Sequence, residues 1–234
     1  MPLPNVYRVH TRLAAVLKAW FPFVLISGLL FYPSHGSAQQ HSSKPRTPST
    51  AALLERAKGL VTAGNPQDAL SVLQQAKLGS SYDSDIHAMK GICQAMLAKP
   101  LESATEFDQA IALRPNYAPN YFSSGLAFAT FNNLEWAIDR LSTALRLDPN
   151  LPGARFNYAL VLARAGRYAE SEKQVDAELA IKGRRTEDSL ELWRLKARDV
   201  YYQKKWQDTL TAYGKVLELS PDSAEAYAAI GEAL

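Results

Sequence analysis

The chain has 234 residues, 47% of them hydrophobic, with 26 basic and 23 acidic side chains and a net charge of +3. One cysteine and four histidines exclude an internal disulfide and a cysteine/histidine metal cluster. The positive excess lies wholly in residues 1–38, where Arg8, Arg12 and Lys18 are the only charged side chains. No basic stripe is left elsewhere to track phosphates, so nucleic-acid binding is not expected.

In chain order, the first element has the three parts of a secretory signal. A basic stretch runs to Lys18, "AWFPFVLISGLLFY" follows over 19–32, and Gly36 and Ala38 supply small residues for cleavage after Ala38. Export is therefore expected, to the periplasm or the medium in a bacterial source. As a helix the apolar run reaches about 21 Å, short of the roughly 30 Å hydrocarbon core. The alternative is an uncleaved anchor over residues 13–32, and membrane contact is expected only in that case. Residues 39–49 are polar with Pro and Ser, and read as a flexible linker.

From residue 50 the chain repeats. Helix-forming runs stop at "LRPN", "LDPN" and "LSPD", around Pro115, Pro149 and Pro221. Proline cannot donate, clashes with the preceding turn and restricts its neighbour, so each is a hard stop. The first two lie 34 residues apart. A 34-residue frame starts blocks at 50, 84, 118 and 152. A four-residue slip within "GRRTEDS", 183–189, moves the next starts to 190 and 224. Gly183 is expected to cap the helix before that loop, and Asp188 or Ser189 the helix after it.

The columns of this frame carry the packing. The eighth place holds Ala57, Gly91, Gly125, Ala159, Ala197 and Gly231, all small. The twentieth holds Ala69, Ser103, Ala137, Ser171 and Thr209, also small. The twenty-fourth holds Leu73, Phe107, Leu141, Val175 and Tyr213, all bulky. Places four, eight and eleven share one helix face, and places twenty, twenty-four and twenty-seven share another. Small residues let two helix axes approach while bulky neighbours fill the flanks. Each block is thus a helical hairpin that buries its stripe against the next block. The last block stops at Leu234 after one helix, with Asp222 and Glu225 placed as a capping box.

Tyr121, Gly125, Phe128, Ala137, Leu141, Ala144 and Pro149 of the third block, and Trp193, Ala197, Tyr213 and Pro221 of the fifth, resemble the tetratricopeptide repeat pattern. The resemblance covers residues 50–234. It implies an all-α right-handed superhelical solenoid of antiparallel hairpins, five full repeats plus a partial sixth. Some places depart from it: His87 and Gln94 in block two, Arg155 and Glu178 in block four, and Gly183 in place of the proline. Looser packing is expected in those two blocks.

Nothing points to catalysis, a cofactor or a metal. His10, His35 and His41 precede the array, leaving His87 alone. It is six residues from Cys93, about 600° around a helix, so the two do not share a face. No glycine-rich phosphate loop is present.

The resemblance implies a protein or peptide partner on the concave face lined by first helices. Places five, nine and twelve form that stripe in this frame. Its candidate binding residues are Ile92, Phe122, Leu126, Phe156 and Leu160, followed by Arg194, Arg198 and Tyr201. An apolar middle thus leads to a basic, aromatic end. Co-chaperones of the family hold acidic peptide termini in a basic, Asn-rich clamp, and that pattern is missing from the middle of this stripe. The expected function is an exported, non-enzymatic adaptor. The alternative is a membrane-anchored repeat subunit, or a fragment of a longer repeat protein whose contacts are with its own missing C-terminal part.

Overall fold

The computed structural model describes residues 48–181 and 186–234, which form helices and the turns between them. The secretory-signal and anchor segments and residues 39–47 of the linker lie outside the described residues, as does Gly183. The helices are α1 (Thr50–Thr62), α2 (Pro66–Leu73), α3 (Asp83–Met96), α4 (Pro100–Leu113), α5 (Ala118–Thr130), α6 (Leu134–Leu147), α7 (Ala154–Arg164), α8 (Tyr168–Leu179), α9 (Thr186–Tyr202), α10 (Trp206–Leu219) and α11 (Ala224–Ala233). The fold is all-α, built from consecutive hairpins. None of the described helices is long and apolar enough to cross a membrane.

One turn joins the two helices of every block. Its middle residue is left-handed: Gly64, Ala98, Asn132, Gly166 and Lys204, with φ between 57° and 78°. All five occupy the fifteenth place. The amide of the following residue closes each turn, Asn65 to Leu60 O, Lys99 to Gln94 O, Asn133 to Phe128 O, Arg167 to Leu162 O and Lys205 to Val200 O, at 2.8–3.0 Å. This is the Schellman closure, which satisfies carbonyls orphaned at a helix end. It needs no particular side chain, so residue identity varies while the conformation does not. Proline at the start of α2, α4 and α5 suits a position whose amide has no helical partner.

The chain divides into two units, residues 1–133 and 134–234. In the first, α1 pairs with α2, α3 pairs with α4, and α5 packs on both α3 and α4. Leu53, Val61, Leu73, Ile86, Ile92, Phe107 and Ala127 share one core cluster. In the second, α6 packs on α7, α7 pairs with α8, α9 packs on both α8 and α10, and α11 covers α10. Ala159, Val175, Leu192 and Leu195 form one cluster there. Ala197, Val200, Tyr213, Val216 and Ala229 form another.

The small columns sit at the helix crossings. A Cβ on Gly91 would come within 2.9 Å of the Phe107 ring, so that crossing requires glycine. The twentieth place is more than small. Ser103 Oγ donates to Gly91 O and Ser171 Oγ to Ala159 O, each at 2.9 Å, tying the second helix to the first. Gly231 differs: it is exposed, with nothing near its would-be Cβ, because no further helix lies against that side of α11 among the described residues.

Several expectations need correction. Helix α9 begins at Thr186, so Asp188 and Ser189 lie inside its first turn and do not precede it. The cap of α11 is Ser223, whose side chain accepts from the Ala226 amide, while Asp222 accepts from Ser220 Oγ at 3.1 Å. Most of the polar residues at core places in blocks two and four find partners, while Gln94 Oε1 stays buried without one. Arg155 Nε lies 3.5 Å from Glu178 Oε2, so the two misplaced charges neutralise each other. His87 Nδ1 lies 2.7 Å from Glu106 Oε2. Arg155 also takes over a task held elsewhere by tyrosine. Tyr121 donates to Pro115 O, Arg155 to Pro149 O and Tyr227 to Pro221 O, at 3.0–3.1 Å. The proline that stops each of those helices thus has its carbonyl satisfied by the fourth place of the next block.

Candidate functional site

The eight stripe residues fall into two environments. Ile92 on α3, and Phe122 and Leu126 on α5, are core: 1%, 3% and 1% exposed. A ligand could reach them only by displacing packed neighbours, so the apolar middle of the expected groove is not a surface. Ile92 shares one core cluster with Ala127 of α5, so the packing of α3 on α5 turns Ile92 inward. Small Ala95 and Ala129 at the twelfth place permit that approach.

Phe156 and Leu160 on α7, and Arg194, Arg198 and Tyr201 on α9, remain half-exposed. Phe156 and Leu160 pack along the edge of the Ala159/Leu192 cluster. Helices α7 and α9 touch only marginally, because the same three places on α9 carry Arg, Arg and Tyr. Arg194 is held by Glu191 at 2.8 Å. Among the described residues no carboxylate forms an ion pair with Arg198. Its charge instead acts on Tyr168, Asp199 and Tyr213. The Tyr201 hydroxyl donates to the Glu232 carboxylate of α11, which raises its pKa.

Beside these residues runs an aromatic series that the repeat frame did not single out. Tyr168 stacks on Tyr202 with ring centroids 4.9 Å apart, Tyr202 meets Tyr201 edge-on at 5.6 Å, and Tyr201 meets Trp206 edge-on at 6.0 Å. Such pairs favour offset or T-shaped geometry. Its signal was "VYYQKKW", three aromatics around a turn, legible only once Tyr168 is brought in from α8.

The remaining titratable candidates are structural. Burial pushes the Cys93 thiol up to about 12, so it is a core residue with negligible thiolate. His87 Nδ1 is taken up by Glu106, and no group of three or more potential metal ligands occurs among the described residues.

Known proteins agree with this architecture. Residues 122–186 match the family model described as tetratricopeptide repeat. The tetratricopeptide repeat and J domain-containing co-chaperone DNJ1 of Cryptococcus neoformans var. grubii serotype A is 25% identical over 128 residues, 52% of this chain and 24% of the co-chaperone. A human FK506-binding protein-like protein is 29% identical over 136 residues, 54% of this chain and 37% of that protein. The chain therefore spans only 24% and 37% of the length of these curated relatives. The solved structure of YrrB, a tetratricopeptide protein with an unusual peptide-binding site, superposes with a TM-score of 0.62 at 18% identity, covering 77% of this chain and 91% of that one. Residues 122–186 thus match the tetratricopeptide repeat model, and the hairpin fold is that of solved tetratricopeptide repeat structures.

Proposed function

We propose that the chain is an adaptor that holds an acidic protein or peptide segment on the surface shared by α7 and α9. The observation that carries this reading is the partly exposed Arg198, without a carboxylate partner among the described residues and on the same repeat stripe as Tyr201, Phe156 and Leu160. A guanidinium offers five donors in a fixed fork that fits a carboxylate, and the apolar neighbours supply contact area. The peptide-binding site of YrrB is a precedent on the same fold. Export with cleavage after Ala38 belongs to the same reading, supported by the basic, apolar and small-residue order of residues 1–38. The competing reading keeps residues 13–32 as an anchor.

Screening the chain against immobilised peptide libraries tests the binding surface. Acidic peptides with apolar neighbours should be retained, and Arg198→Gln should weaken them about 10- to 100-fold without lowering the melting temperature, as should Phe156→Ala with only a small loss of stability. Equal retention by both variants would reject the surface. Fusing residues 1–50 to a reporter active only outside the cytoplasm tests export. A silent reporter rejects it, and an unprocessed product favours the anchor.

A further inference from the structure

The tenth place of the blocks lies, at Cys93 and Ala127, in the core shared with the preceding hairpin. It holds Gly59, Cys93, Ala127, Val161, Asp199 and Ala233. Cys93, Ala127 and Val161 are apolar and buried, and Asp199 is buried just as deeply, at 0% exposure. Neither oxygen of its carboxyl has a hydrogen-bond partner. The corresponding joint in the first unit handles its polar group differently. There Asn120 Nδ2 donates to both Ser84 Oγ and Ala110 O at 2.9 Å.

The surroundings of Asp199 compensate an ion only in part, and burial outweighs what Ser171 and Arg198 offer. On α8, the Ser171 hydroxyl is committed to Ala159 O. Glu172, also on α8, is a second carboxylate, held by Lys205 Nζ at 2.8 Å and Gln203 Nε2 at 2.9 Å. Tyr168 on α8 feels Asp199 as a like charge. On α9 the nearby charge is Arg198, which faces the partly exposed side. On α7, Tyr158 and Arg164 respond to burial, and Tyr158 also to Arg167 and Glu170, not to Asp199. On α10, Tyr213 responds to burial, Glu225 and Arg198. An unpaired buried carboxylate is strongly disfavoured, so the group either stays neutral or reaches water.

We propose that Asp199 makes the joint between the α7–α8 and α9–α10 hairpins a proton-operated switch: with the carboxyl neutral the hairpins stay packed, and loss of its proton loosens them. Burial lifts this carboxyl from the ordinary 3.8 to about 7, Glu172 adds to the rise, and Ser171 and Arg198 oppose it. The packed joint therefore holds one more proton than the opened joint between those two values. Raising pH through that window removes stability, and above it the penalty is constant. The switch stands whether or not the α7–α9 surface binds a partner.

The test is hydrogen exchange and thermal unfolding of the full chain from pH 5 to 8. Corrected for intrinsic exchange rates, the opening constant of α8 and α9 amides should rise about tenfold per pH unit and level off above about pH 7. Amides of α3 and α4 should not follow. Asp199→Asn should flatten the profile. Asp199→Val, matching Val161 one block earlier, should flatten it and raise the melting temperature, and serves as the test if the Asn variant does not fold. Parallel profiles for the wild type and the variants would overturn the switch. So would an Asp199 carboxyl that titrates near 4 by carbon-detected NMR.

Discussion

The two units use the same repeat places to opposite ends. In residues 48–133 the fifth and ninth places of the first helices α3 and α5 go into the core, with Ile92, Phe122 and Leu126 buried. In residues 134–234 the same places on α7 and α9 carry Phe156, Leu160, Arg194 and Arg198, half in water. The joints differ in the same sense. The Asn120 amide nitrogen in the first unit has two acceptors, and the Asp199 carboxyl in the second is orphaned. A repeat frame fixes the direction of a side chain from its own helix. Its exposure is set by how closely the next first helix approaches. Alanines at the twelfth place allow α3 and α5 to meet, while arginines and a tyrosine hold α9 away from α7.

The sharpest way to break this comparison is a pair of truncations. Phe122→Ala should cost about 3–5 kcal/mol in chemical denaturation, because it empties a core site. Phe156→Ala should cost less, about 1–2 kcal/mol, since that ring is partly exposed at the edge of its cluster. Equal losses would mean that the two environments are energetically the same.

Glycines give the next contrast. Gly91→Ala pushes a methyl into the Phe107 ring and should destabilise by about 1–3 kcal/mol. Gly231→Ala meets open space and should gain about 0.5–1 kcal/mol from helix propensity. Melting curves of both variants decide the matter, and a stabilised Gly91→Ala would show that the α3–α4 crossing has slack.

The smallest expected effect shows where the units are alike. Ala98 and Lys204 both bear a side chain in the left-handed turn. Ala98→Gly and Lys204→Gly should each gain about 0.5–1 kcal/mol, the steric cost of that conformation less the added entropy of glycine. A gain in one unit alone, by denaturant midpoint at constant slope, would mean that the shared turn is supported differently in each.

Much of the fold was legible in the sequence. The eighth, twentieth and twenty-fourth places showed the hairpins because two helices cannot cross closely without small residues at the contact and bulk beside it. The turn column escaped notice because the Schellman closure uses backbone atoms, and Gly, Ala, Asn and Lys all occupy its left-handed position. Arg155 and Glu178 read as two separate faults, since a linear frame does not show that the fourth and twenty-seventh places meet. Of the eight stripe residues, the sequence placed all on one helix face but could not tell Phe122 from Phe156. Both are phenylalanines at the fifth place. Helical periodicity is local, a matter of about 100° per residue, so the sequence by itself determined the repeat and the direction of each side chain. Burial belongs to the space between helices. Only the tertiary structure decided which stripe residues meet water, and that Asp199 is left in the core with no partner.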